Sequence, residues 1–220
     1  MTERQDIPKP TSGDVLHTFA KAGLSAIPIV GGPAADLFTY LVVPPLTKRR
    51  DEWLQLIADG LKALEEKVEN FSIESLSQNE DFVTMLLEAS HLAVRNHQKE
   101  KIESLRNAVL NAALEPPEEH AQAILLQFLA IATPWHLRVL KFYQSPEVYL
   151  EKAGIKLDSG DYLSHFVSRV FKELEGNDAF RLQIERDLLH YGLILPETAW
   201  YSERTTNTGD KVLKLIASPI

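Results

Sequence analysis

The sequence contains no cysteine. Disulfides, thiolate metal centres and a cysteine nucleophile are excluded, and the composition suits a reducing compartment. Long apolar runs are also missing. The greasiest stretch, residues 24–46, is interrupted by Pro28, Pro33, Asp36, Pro44 and Pro45, whereas a spanning helix needs roughly 20 predominantly apolar residues. The opening residues, MTERQDIPKPTSGD, have no apolar core of signal-peptide type, so the expected location is cytoplasmic. Positive charge is short as well, with 23 Lys+Arg against 31 Asp+Glu and a net charge of -8. No segment reverses that balance: residues 1–115 carry 12 against 17, residues 116–150 carry 2 against 3, and residues 151–220 carry 9 against 11. Such a field repels nucleic acid, and duplex DNA is not an expected partner. No glycine-rich phosphate loop, metal triad or Ser/His/Asp arrangement can be read from the spacing. The sequence therefore suggests no catalytic residue, no metal and no cofactor.

What remains is an ordinary mixture, 45% hydrophobic and 25% charged over 220 residues, long enough for one large helical domain or two small ones. Residues 1–12 are polar with two prolines and read as a mobile tail. Residues 13–26 suggest a short helix, and residues 27–33 a breaker, with Pro33 suited to the first turn of the next helix. That helix meets Pro44-Pro45, where it must stop or kink. Downstream, Trp53, Leu54, Ile57, Leu61, Leu64 and Val68 recur at helical spacing. Asn79 is a good N-cap for a helix whose stripe is Phe82, Met85, Leu86, Ala89 and Ala93. Polar residues 95–101 are either a turn or an exposed part of one long helix. Ile102, Leu105 and Val109 resume the pattern, and Pro116-Pro117 ends it. The mostly apolar helix that follows, residues 118–132, is expected deep in the core.

Thr133-Pro134 and Ser145-Pro146 are start signals for two further helices, and Gly154, Gly176 and Gly192 are stop signals. Tyr162, Phe166, Val170 and Leu174 make one stripe, and Phe180, Ile184 and Leu188 the next. Residues 199–205, with Trp200 and Tyr201, alternate enough for a short strand. Thr208 then caps a closing helix with Val212, Leu215 and Ile216. IERDLLHYGLI followed by TNTGDKVLKLI reads as the second helix, wing and last helix of a winged-helix module. The expected architecture is dominantly all-α: a helical bundle over residues 13–132, packed against a winged-helix-like unit with a minimal β wing over residues 133–220. Arg181, Gln183, Glu185, Arg186 and Asp187 are expected outward on the helix in the recognition position, where two acids would oppose a DNA backbone. Packing or protein recognition fits that row better.

Four groupings carry candidate chemistry. Glu88-x-x-His91 is half of a di-iron ligand motif, but the second copy is missing, so an exposed pair is the plainer reading. Arg186 and His190 resemble the Arg/His pair of helical toxin ribonucleases with a gap one residue short. Arg95, His97, Lys99, Lys101 and Arg106 form the densest positive cluster, a candidate partner- or anion-binding surface diluted by Glu100 and Glu103. Lys48, Arg49 and Arg50 follow an apolar hairpin containing Leu37, Phe38, Leu41 and Val42, an arrangement able to contact an anionic membrane.

The segments AIPIVGGP, TPWHLRVLKFY, LLHYGLI and TNTGDKVLKLI, in that order, resemble the Abi-alpha group of bacterial abortive-infection proteins. The resemblance implies phage defence as context and carries no catalytic residues. The leading expectation is a non-enzymatic cytoplasmic protein acting through contacts with a protein partner or with further copies of itself. Two alternatives stay open: a membrane-perturbing effector that uses the N-terminal hairpin, and a cryptic helical ribonuclease.

Overall fold

The computed structural model describes residues 33–117, 119–156, 162–196 and 204–220; the side chains of residues 33–43, 119 and 120 lie outside that description. The expectations for the tail, for the helix over residues 13–26 and for the turn before Pro33 fall outside the described residues. Within them the fold is predominantly helical. No helix among the described residues is long and apolar enough to cross a membrane. The chain divides into two compact units, Met1–His97 and Gln98–Ile220. That division falls at the polar stretch after residue 95, earlier than the expected boundary at 132/133.

In the first unit, α1 (Pro33–Lys67) starts at the expected proline and runs on through Pro44 and Pro45. The two prolines remove two rungs of the backbone ladder, yet their fixed φ is helical. The helix therefore does not stop there. A 3-10 turn over Ile73–Gln78 leads to α2 (Glu80–Arg95), whose first turn is capped by Asn79 Oδ1 accepting the Phe82 N–H at 3.0 Å. Trp53, Ile57, Leu61 and Leu64 form the buried stripe of α1, and Phe82, Met85, Ala89 and Ala93 that of α2. The alanines let the two backbones approach. Trp53 Nε1–H donates to Ser90 Oγ at 2.9 Å, which gives the buried indole the partner its burial requires.

The second unit holds α3 (Lys99–Leu114), α4 (Glu119–Ile131), α5 (Pro134–Gln144), α6 (Pro146–Ala153), α7 (Ser164–Val170), a 3-10 turn over Lys172–Leu174, α8 (Asp178–His190) and α9 (Asn207–Ile216). Helix α5 is its centre. His136, Leu137, Val139, Leu140, Phe142 and Tyr143 are all buried, and α6, α8 and α9 pack on it. The expected helix with the 162–174 stripe is shorter than its periodicity suggests. It breaks at Phe171, whose ring packs among Trp135, Phe142 and Tyr149 with centroids 5.8–6.1 Å away. Helix α4 is also shallower than expected. Leu125, Phe128 and Leu129 are buried, but Ile124 and Ile131 are 44% and 42% exposed.

Helix α9 is held at both ends. At its start Thr206, rather than Thr208, is the cap: its hydroxyl accepts the Gly209 N–H at 3.0 Å and donates to the Gly192 carbonyl. At its end Asn107 donates to the Ile216 carbonyl (3.1 Å), and Asn111 to those of Leu215 (2.7 Å) and Ala217 (2.8 Å). The last carbonyls of a helix have no partner within it; two asparagines one turn apart on α3 supply them. This packing of α3 on α9 joins residues 98–114 to the C-terminal unit. Between α8 and α9 an isolated antiparallel bridge pairs Ile194 with Thr205, flanked by bonds from Leu195 N–H to Arg204 O and from Thr206 N–H to Leu193 O. Trp200 and Tyr201 lie outside the described residues.

Gly209 sits in the first turn of α9, where an added Cβ would collide with the Leu193 carbonyl. Because the obstacle is backbone, Gly209→Ala is expected to destabilise the protein by about 1–3 kcal/mol. The measurement is the urea midpoint at constant slope. An unchanged midpoint would mean that the contact relaxes freely.

Candidate functional site

Helices α5 and α8 are joined by two polar connections, one near each end of α5. At the start, Thr133 and His136 form a capping box. The Thr133 N–H donates to His136 Nδ1 at 3.2 Å, and Thr133 Oγ1 lies 2.9 Å from the same nitrogen. With Nδ1 accepting, the ring proton belongs on Nε2, which meets Asp187 Oδ2 at 3.2 Å. Asp187 also accepts from Gln183 Nε2 at 2.7 Å. Towards the end of α5, Tyr143 O–H donates to Glu185 Oε1 at 2.8 Å, while Arg181 Nη1 donates to Glu185 Oε2 at 2.6 Å and to the Ser164 carbonyl at 3.3 Å. A buried carboxylate is tolerated only with such partners.

Beside the first connection lies an open cavity of ≈ 400 Å³. The start of α3 contributes Gln98, Lys99 and Glu100, the start of α5 contributes Thr133, Pro134, Trp135 and Arg138, and α8 contributes Phe180. Arg138 engages Glu100 with two nitrogens, Nε to Oε2 at 2.9 Å and Nη2 to Oε1. Its guanidinium carbon stands 4.8 Å from the Trp135 ring centroid. The hydrogen bond from Arg138 holds the Glu100 carboxyl below the usual carboxylate range, and Glu100 in turn raises the arginine. Trp135 meets Phe171 edge-on at 5.8 Å.

The residues singled out from the sequence fall in different settings. Arg95 and His97 are exposed in the first unit; Lys99, Lys101 and Arg106 belong to the second. Lys101 is not available to a partner. It is 5% exposed, and its ammonium donates to the Ala130 carbonyl at 3.0 Å, near the end of α4, where a cation meets the negative end of the helix. Arg106 is half-buried and donates to Asn107 Oδ1 at 3.2 Å. Of Lys48, Arg49 and Arg50, the first pairs with Glu52 (3.8 Å) and the third with Asp51 (2.7 Å), so two of the three charges have acids beside them. Leu37 and Leu41 lie in the first part of α1, where side chains are outside the description. Glu88 and His91 are both exposed, as are Arg186 and His190. No group of three metal-ligating side chains occurs among the described residues.

The expected outward row of α8 needs correction. Glu185 is buried, Arg181 nearly so, and Asp187 is turned to His136. The acids at 185 and 187 are spent on α5. Leu182, Gln183, Arg186, Leu189 and His190 face outward instead. The periodicity of Ile184 and Leu188 placed the core face, but the polar partners reaching from α5 had no local signal. No protein-family model, curated protein or solved structure matches the chain.

Burial lowers the affinity of Lys101 for its proton below the ordinary value of 10.5. The unfolded chain then holds that proton to higher pH than the folded one, so folding gains stability as pH rises towards 10.5. Lys101→Met removes this contribution. Parent and variant should therefore differ in pH slope, with the parent's melting temperature improving relative to the variant between neutral pH and about 10. Parallel curves across that window would show that Lys101 titrates as a solvated lysine.

Proposed function

We propose that this chain is a non-enzymatic cytoplasmic defence protein of the abortive-infection kind, acting through protein contacts made by a winged-helix-like C-terminal unit. The order α8, the Gly192 turn, the Ile194–Thr205 bridge and α9 supports the winged-helix-like reading. The resemblance of the four sequence segments supports the defence context. The observation that carries recognition of a protein is the outer face of α8. Leu182 and Leu189, 39% and 42% exposed, flank Arg186 at i, i+4, i+7 spacing, and Leu195 beyond the turn is 49% exposed. One arginine among leucines is too little charge for phosphate-driven duplex binding, whereas apolar anchors beside an arginine are the composition of protein interfaces.

The test is a phage challenge of bacteria expressing the full chain, beside the double variant Leu182→Glu/Leu189→Glu. The parent should reduce plaque formation and the variant should lose most of that protection. Because both positions are exposed, the variant's stability should stay within about 0.5 kcal/mol per site. Undiminished protection by a folded variant would refute the role of this face. Vesicle leakage or RNA cleavage by the purified parent would move the function to the effector or nuclease reading.

A further inference from the structure

The cavity at the start of α3 and α5 brings a paired arginine and a tryptophan together in its lining. The Arg138 guanidinium is held by two-point pairing with Glu100, and its central carbon lies over the Trp135 ring. Trp135 is itself braced edge-on by Phe171. Guanidinium over indole thus makes a layered shelf whose orientation is set before any ligand arrives, which lowers the ordering cost of binding. Lys99, exposed and lining the same cavity, adds a mobile cation. Phe180 supplies an apolar wall, and Gln98 and Thr133 supply polar groups.

Each lining element narrows the ligand. A bare anion would meet Glu100 together with the cations, and with Arg138 already paired only Lys99 would favour it strongly. A neutral aromatic molecule would use the shelf and leave the ammonium without purpose. A ligand that joins a flat, hydrogen-bonding ring to a single anionic group uses both. Bases stack on arginine planes as they do on aromatic rings, and a cavity of ≈ 400 Å³ suits one small ligand. We infer that this cavity binds a nucleotide, its base against the Arg138–Trp135 shelf and its phosphate at Lys99. The same chemistry is offered by a free mononucleotide and by the end of a single strand. This site is separate from the outer face of α8 and stands whether or not the defence reading holds.

Calorimetric titration of the full chain with AMP, adenosine, inorganic phosphate and a short single-stranded oligoadenylate tests the assignment. AMP should bind one per chain with submillimolar affinity, more tightly than adenosine or phosphate alone. Arg138→Lys keeps the charge and loses the plane, and should weaken AMP about tenfold, as expected for one stacking contact. Lys99→Ala should weaken AMP while leaving adenosine unchanged. Both positions are substantially exposed, and thermal melts of both variants confirm folding. Oligoadenylate binding about tenfold tighter than AMP would identify a strand end as the natural ligand, and equal binding a free nucleotide. Absence of saturation in the millimolar range, phosphate binding as tightly as AMP, or unchanged affinity in a folded Arg138→Lys would each overturn the proposal.

Discussion

A helix buried on most of its circumference can carry polar side chains only where another element brings partners to them, and α5 is such a helix. His136 and Tyr143 lie among its buried residues, and α8 answers both, with Asp187 and Glu185. A buried polar group left without a partner costs about 1–3 kcal/mol, so sliding α8 by a turn would forfeit both connections together. Apolar contacts alone tolerate such slips far better. The two polar pairs are therefore what makes the α5–α8 register unique, and the positions of Trp135, Arg138 and Phe180 around the cavity follow from that register.

The same demand for partners explains the other polar side chains inside the second unit. Asn107 and Asn111 look like breaks in the apolar pattern of α3, yet they supply the donors that the end of α9 needs. Lys101 does the corresponding task for α4. In each case the residue on one helix satisfies backbone groups orphaned at the end of another. The asparagine contacts tie residues 98–114 to the C-terminal unit across more than a hundred positions of sequence, which is why the compact division lies at 97/98.

Local signals in the sequence were legible. Pro33, Asn79, Thr133-Pro134 and Ser145-Pro146 mark helix starts that the structure has, and Gly192 marks a stop where a left-handed φ of 64° is needed. Stripes at 3.6-residue spacing gave the core faces of α1, α2 and α8. What failed were statements about direction that depend on distant residues. Lys101 read as surface charge because nothing nearby reveals the carbonyl of Ala130. Glu185 and Asp187 read as outward acids because their partners lie 42 and 51 residues away. Periodicity also overextended the helix ending at Leu174, since the aromatic nest that turns Phe171 inward is tertiary. The cavity was legible only as the separate facts of a Thr-Pro helix start and a polar stretch before α3.

Internal pairing of charged side chains has a consequence for surface chemistry. A residue's charge contributes to recognition only if no internal partner uses it, and in α8 the internal partners claim both central acids and one arginine. The helix as a sequence carries Arg181 and Arg186 against Asp178, Glu185 and Asp187; beyond its first turn the helix as a surface is Leu182, Gln183, Arg186, Leu189 and His190. The acidic balance of the whole chain therefore says little about this face. At the cavity the partition works the other way. The Arg138–Glu100 pair is nearly neutral as charge, yet the pairing is what holds the guanidinium flat beside Trp135, so a salt bridge that contributes little as electrostatics at an exposed site contributes shape.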